Sequence, residues 1–326
     1  MKALVYDGVE TLNYRDMPEP SSNADEHLIR VMAVGICGSD MHAYLGHDER
    51  RPAPLILGHE AAGVVESGRQ KGRRVTINPL VTCGTCSYCS GGRENLCPTR
   101  QIISMQPREG AFAQFVSMPD RNLVTVPDDV SFEKAALAEP LAVSWHAARL
   151  ALEALHPSMD RSALVIGGGA IGLAAALALS AMGVQQIEIV EPNELRRSYL
   201  EDKCGQKVVS EATVSASIII DAVGFSATRA LASERVVPGG VIAHVGLGDN
   251  AGGVNVRRLT LQEVTFVGTY TYTANDFRDT CAALFDGRLG ALNWIDVRPL
   301  SKGAGAFADI RAGGTPVPKI VLDPWA

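Results

Sequence analysis

The chain is 326 residues long, 46% hydrophobic, with a formal net charge of −6 and an isoelectric point near 5.7. That length exceeds one comfortable hydrophobic core and predicts two domains. The acidic balance, with no compensating basic cluster, excludes nucleic acid as the main partner.

Read from the start, residues 1–7 carry one positive charge and too short an apolar run for a secretory signal. Together with an odd total of seven cysteines, this predicts a reducing, cytoplasmic setting over a disulfide framework. As far as residue 140 the chain reads as short strands broken by turns, at 3–6, 27–34, 62–65, 74–77, 112–116 and 123–125. Val and Ile enrichment with Gly/Pro punctuation predicts an irregular, barrel-like β domain. Ser131 then N-caps a helix over 132–137, and a second helix runs over 141–154.

From there the pattern alternates. Strands are predicted at 164–166, 187–190, 218–220, 241–245 and 264–267, with helices at 170–182 and 193–203. Such alternation specifies a parallel sheet with helices on both faces. The tail carries a helix at 277–285 and a closing strand at 319–322, and is expected to rejoin the first domain. The predicted division is 1–142 with 274–326 for the β-rich domain, and 143–273 for the α/β domain. Segment 162–187 is uncharged and long enough to cross a bilayer. Its glycines, Gly167, Gly168 and Gly169, divide it instead into a strand, a turn and a buried helix, so no membrane partner is expected.

Four cysteines, Cys83, Cys86, Cys89 and Cys97, fall within fifteen residues. Short turns bring such thiolates around one tetrahedral zinc at ~2.3 Å each, which closes the coordination shell. This zinc is structural. Cys204 and Cys281 are expected to be ordinary small buried residues.

Gly167-Gly168-Gly169-Ala170-Ile171-Gly172 satisfies G-x-G-x-x-G, directly after a predicted strand and opening a helix. Gly167 permits the tight turn, Gly169 the approach of a pyrophosphate, and Gly172 the packing of helix on strand. Glu191 ends the next strand, where a carboxylate binds the adenosine ribose and repels a 2′-phosphate. NAD is therefore expected over NADP, with Arg196 and Arg197 as the opposing signal.

Cys37, His59 and Glu60 supply metal-ligand types from two separate β-domain segments, and Glu139 adds a carboxylate near the domain junction. Each alone has an ordinary structural explanation. Beside a nicotinamide fingerprint they point to a catalytic zinc with an open position.

These motifs carry a resemblance. Cys37-Gly38-Ser39-Asp40-x-His42, Gly58-His59-Glu60, the cysteine tetrad, Glu139-Pro140-Leu141 and the glycine fingerprint stand in the order of the zinc-containing medium-chain alcohol dehydrogenases. The whole chain is similar to their sorbitol/polyol dehydrogenase branch. The resemblance implies a GroES-like catalytic domain joined to a Rossmann doubly wound domain, with one catalytic and one structural zinc. It implies that Cys37, His59 and Glu60 hold the catalytic zinc, while Glu139 ligates it or binds its water. Asp40 would accept the free N–H of His59. Ser39 would take the hydroxyl proton and His42 would pass it to solvent. Ala170, Ile171, Glu191, Arg196 and the Val245-Gly246-Leu247 turn would contact the dinucleotide.

The implied reaction is oxidation of a secondary alcohol to a ketone. Zinc lowers the hydroxyl pKa, as it takes water from 15.7 to about 7, and hydride passes to NAD. Two positions depart from the branch: Ala43 replaces a tyrosine, and Thr271-Tyr272 replaces an Arg-Tyr pair. Both change which hydroxyls can be held. Connections 67–74 and 207–217 are also shorter than usual, the second lacking room for a crossover helix. The alternatives are an L-threonine 3-dehydrogenase-like enzyme, a zinc-free quinone reductase of the same fold, and a partner-binding zinc ribbon. A homo-oligomer, dimer or tetramer, is expected.

Overall fold

The computed structural model describes residues 1–22 and 25–326. The chain forms two compact units. The first comprises Met1–Glu139, Thr273–Asp286 and Ile295–Ala326; the second comprises Pro140–Tyr272 and Gly287–Trp294.

In the first unit the central strand is Glu26–Gly35, antiparallel to Glu60–Val65, to Phe115–Pro119 and to the C-terminal strand Lys319–Asp323. Arg74–Ile77 and Leu123–Thr125 extend the sheet on one side, and Ile295–Pro299 extends it on the other. A three-stranded sheet of Thr11–Asp16, Lys2–Gly8 and Leu55–Ile56 shares the same core. Phe307, on helix Gly303–Arg311, packs with ring centroids 5.2 Å from Tyr44 and 5.9 Å from Phe112. Helix Phe132–Ala136 begins as expected: Ser131 Oγ accepts the Lys134 N–H at 3.4 Å. Its small Ala135 and Ala136 let it lie against Ala33 and Ala62.

Two predicted elements shift by three residues. The strand expected at 112–116 runs over Phe115–Pro119, because the N–H groups of Gly110, Ala111 and Phe112 bond carbonyls of residues 56–58 instead. The helix expected from 141 spans Ala138–Ala154. Pro140 sits in its first turn, where a missing N–H costs nothing, and Glu139 joins the same turn. Cys281 is buried as expected, whereas Cys204 is only half-buried.

In the second unit six parallel strands stand in the order Val208–Val209, Gln186–Val190, Ser162–Ile166, Ala216–Asp221, Val236–His244, Thr265–Gly268. This is the doubly wound order with its reversal between Ser162–Ile166 and Ala216–Asp221. The two middle strands are apolar along nearly their whole length because both faces are covered. No helix separates Val208–Val209 from Ala216–Asp221, as the short connection requires. Uncharged segment 162–187 divides into strand, glycine turn and helix Ala170–Ala181. Among the described residues no helix is long and apolar enough to cross a membrane.

Candidate metal centre and cofactor loop

Among the described residues, two groups of metal-binding side chains bring their ligand atoms within 4.8 Å of one another: the cysteine tetrad, and Cys37 with His59 and Glu60. In the tetrad, sulfurs of Cys83 and Cys89, Cys86 and Cys89, and Cys83 and Cys97 lie 3.8, 3.5 and 3.6 Å apart. A tetrahedron with ~2.3 Å arms has edges of about 3.8 Å, so the spacing fits one zinc. It is far longer than a disulfide, and all seven cysteines are free. The lobe is also anchored: Glu94 Oε1 accepts the Ala274 N–H at 3.1 Å, at the start of helix Ala274–Phe285.

The second group is built where strand Glu26–Gly35 gives way to helix Gly38–Tyr44. Cys37 is that helix's N-cap residue. Asp40, fully buried, accepts the Cys37 N–H at 2.9 Å and the Gly58 N–H at 3.2 Å, tying together the loops that carry Cys37 and His59. Gly58 has φ +90°, and a Cβ there would meet the Phe112 ring at 2.5 Å. Gly35 leaves room for Glu60, whose Oε2 would lie 2.1 Å from a Cβ at that position.

Asp40 Oδ1 stands 3.4 Å from His59 Nδ1, and Ser104 Oγ is closer, at 3.2 Å. Ser39 Oγ lies 3.4 Å from His59 Nε2. Burial opposes charge on His59, yet the neighbouring Asp40 and Cys37 raise its pKa well above the ordinary value. His42 occupies the last turn of helix Gly38–Tyr44 and is half-buried.

Glu60 does not stand alone. Lys319 Nζ donates to both its oxygens, and also to the Ile36 carbonyl at 2.9 Å. Burial favours the neutral amine, but the charges of Glu60, Cys37 and Glu139 overcome it and raise the Lys319 pKa. Glu139 is buried and shares this field from the first turn of its helix. A thiol, an imidazole and one carboxylate converging at one point are a donor set that suits zinc, and Glu139 lies outside that group of three.

In the second unit the glycine loop behaves as its sequence predicts. Gly167 has φ +99°, and a Cβ on Gly172 would stand 1.7 Å from the Gly167 carbonyl oxygen. Gly169 has ordinary φ, and a Cβ there would meet nothing within 4 Å. That open space lies at the N-terminus of helix Ala170–Ala181, where backbone N–H groups favour an anion. Ser144 Oγ steadies the helix by donating to the Ile171 carbonyl at 2.8 Å.

Glu191 is buried and partly engaged. Its oxygens accept the Gly168 and Asn193 N–H groups at 2.9 and 2.8 Å, and Arg196 Nη1 lies 3.3 Å away. A carboxylate offers about four acceptor sites, so one is left for a ribose hydroxyl. Arg197 is committed to the carbonyls of Glu191 and Pro192 at 3.0 and 2.6 Å. The N–H groups of Val245 and Gly246 share the Asp221 carbonyl at 2.9 and 3.0 Å, leaving Leu247 exposed. Asp221 itself accepts from Val223, Gly224, Thr228 and His244. At the departing positions, Ala43 and Tyr272 are buried and Thr271 has φ +46°.

Sequence reasoning missed Lys319, Ser104, Arg51 and Asp221. Lys319 had a faint signal, a lone charge heading the apolar run Ile320-Val321-Leu322. Arg51 and Ser104 reach the site through the fold alone.

Family models described as "Alcohol dehydrogenase GroES-like domain" and "Zinc-binding dehydrogenase" match residues 23–128 and 170–286. Sorbitol dehydrogenase of Bacillus subtilis is 40% identical over 205 residues, covering 60% of this chain and 57% of that protein. L-idonate 5-dehydrogenase of Vitis vinifera is 30% identical over 322 residues, covering 90% and 84%. Among solved structures, an oxidoreductase/dehydrogenase of unknown specificity from Escherichia coli superimposes with a TM-score of 0.89 at 28% identity, covering 99% of both chains.

Proposed function

The chain belongs to the polyol branch of the zinc-containing medium-chain alcohol dehydrogenases, and from that membership we propose that it oxidises a secondary alcohol of polyol, sugar-alcohol or sugar-acid type to a ketone, with NAD. The observation that carries this reading is the convergence of Cys37, His59 and Glu60, with Ser39 Oγ 3.4 Å from His59 Nε2. The names of the matched relatives favour sorbitol and L-idonate chemistry over a threonine dehydrogenase.

Cys37, His59 and Glu60, with Glu139 as ligand or water holder, would hold the catalytic zinc, and the cysteine tetrad the structural one. Zinc would supply Lewis acidity that makes the alcohol hydroxyl acidic, and NAD would supply the hydride acceptor. Ser39 takes the hydroxyl proton and His42 passes it on. Asp40 and Ser104 fix the orientation of His59. Gly169 admits the pyrophosphate, Ala170, Ile171 and the Val245-Gly246-Leu247 turn line the dinucleotide, and Glu191 receives the ribose. Arg196 pairs with Glu191 and so moderates its rejection of a 2′-phosphate. A cytoplasmic dimer or tetramer suits the free cysteines and the usual symmetry of such enzymes.

The test is NAD reduction with a panel of polyols, hydroxy acids and threonine, alongside elemental analysis. Two zinc per chain and turnover of a polyol or sugar acid are expected. Turnover of threonine alone, or a higher kcat/KM with NADP, would overturn the substrate or cofactor assignment respectively.

A further inference from the structure

Arg51 is a strongly buried arginine beside the proposed proton path. It is 3% exposed and lies in the loop between helix Gly38–Tyr44 and strand Leu55–Ile56. Each of its three guanidinium nitrogens has a partner. Nη1 pairs with Asp48, itself held by Arg50, and Nε donates to the Ser104 carbonyl at 3.0 Å. Nη2 points at Ser39 Oγ, 3.4 Å away. Ser104 in turn places its hydroxyl 3.2 Å from His59 Nδ1. One planar fork therefore holds both the serine of the relay and the residue that orients His59.

We propose that Arg51 is the positioning residue of the proton relay, fixing the direction in which the Ser39 hydroxyl points. This rests on the alcohol dehydrogenase reading above. Guanidinium has donors and no acceptor, whereas a hydroxyl has one proton and two lone pairs. Arg51 therefore claims one lone pair of Ser39 and cannot take its proton. Once His59 Nε2 is given to a metal and releases its contact with Ser39, one lone pair and the O–H remain, the two things a relay needs. The alcohol's O–H bond breaks as its proton joins the free lone pair of Ser39. The serine's own proton leaves for His42 and then water, and no net charge stays on the serine. The fixed positive charge of Arg51 opposes a doubly protonated Ser39, so the outgoing proton departs as the incoming one arrives. The 3.4 Å contact is long, as such bonds are before substrate arrives. Its other anchors leave Arg51 no alternative place.

The test follows the proton without the hydride. Holoenzyme carrying zinc and NAD is mixed with saturating 2,2,2-trifluoroethanol, an alcohol whose electron-poor carbinol carbon resists oxidation, and proton release is followed with a pH indicator. Wild type is expected to release its proton rapidly. Arg51→Gln should release the same amount at least roughly tenfold more slowly, with unchanged zinc content and NAD affinity. Arg51→Lys should recover the melting temperature but stay slow, because one ammonium cannot hold the Ser104 carbonyl and Ser39 together. Asp48→Asn, which slackens the anchor, should fall between; should Arg51→Gln fail to fold, it and Arg51→Lys decide the matter. An unchanged release rate, or full recovery of rate in Arg51→Lys, overturns the proposal. Release from no protein, wild type included, defeats the dehydrogenase reading and this inference with it.

Discussion

Lys319 Nζ lies 2.7 and 2.8 Å from the two carboxylate oxygens of Glu60, and neither side chain reaches solvent. Glu60 can therefore serve a metal only through the lone pairs that Lys319 leaves free. Removing one partner strands a buried charge, which typically costs 3–5 kcal/mol, whereas replacing both is often near neutral, so Lys319→Met should destabilise by about that much. The double variant Glu60→Gln, Lys319→Met should recover most of the loss. Urea denaturation of the four proteins checks this, and additive losses would contradict it.

Ser39→Ala tests the relay from its other end. Positioned proton transfer contributes typically 10²–10⁴-fold, so kcat should fall by about that factor. Zinc content should stay at two per chain, since Ser39 is placed as no ligand. Normal turnover would remove the serine from the path.

The two glycines of the cofactor loop should respond differently to alanine. At Gly169 the added methyl meets nothing in the protein, so the melting temperature should hold while NAD binding weakens by roughly tenfold or more as that open space fills. At Gly172 the methyl would stand 1.7 Å from the Gly167 carbonyl oxygen, so the unit itself should lose stability. Melting curves paired with NADH fluorescence titration separate the two.

Cys97→Ser removes a fully buried tetrad sulfur. Elemental analysis should then report one zinc per chain, and the melting temperature should drop because a structural zinc contributes folding energy. Hydrogen exchange should quicken at the first turn of helix Ala274–Phe285, since Glu94 of the same lobe holds the Ala274 N–H. Unchanged exchange there would show that the lobe and the helix are uncoupled.

Asp221 gives stability a dependence on pH. Burial raises its pKa, but hydrogen bonds from His244 and the Gly224 and Val223 N–H groups outweigh it and hold the folded value below 3.8. A depressed carboxylate pKa means stability that is present above the unfolded value and lost as pH falls through the folded one. Asp221→Asn should cost about 1–3 kcal/mol at neutral pH, and the gap from wild type should narrow as the pH drops below about 4. Denaturation midpoints from pH 7 to 3 would show it; a constant gap would contradict it.

Legibility followed sequence distance. The tetrad and the glycine loop are each specified within a few turns of chain, so spacing alone located them and the geometry agrees. The doubly wound sheet was readable because each strand is an apolar run in its own right. Helix Gly303–Arg311 was not: its glycines lower local propensity, and the packing of Phe307 on Tyr44 and Phe112 holds it. The predicted helix starts after Pro140, yet a first-turn proline is compatible with the longer helix that carries Glu139. Arg51, Ser104 and Lys319 enter the metal centre from segments with no local mark of it.

The closing strand Lys319–Asp323 pairs with Glu26–Gly35, and its first residue neutralises a carboxylate 259 positions earlier. Synthesis must therefore reach residue 319 before the first unit can finish its sheet. The growing chain must carry Glu60 solvated, or protonated, until the counter-ion is made. A chain cut short before residue 319 loses the lysine together with the strand that joins Ile295–Pro299 to Glu26–Gly35. One short strand thus supplies both a bridge in the sheet and the counter-ion of a fully buried carboxylate.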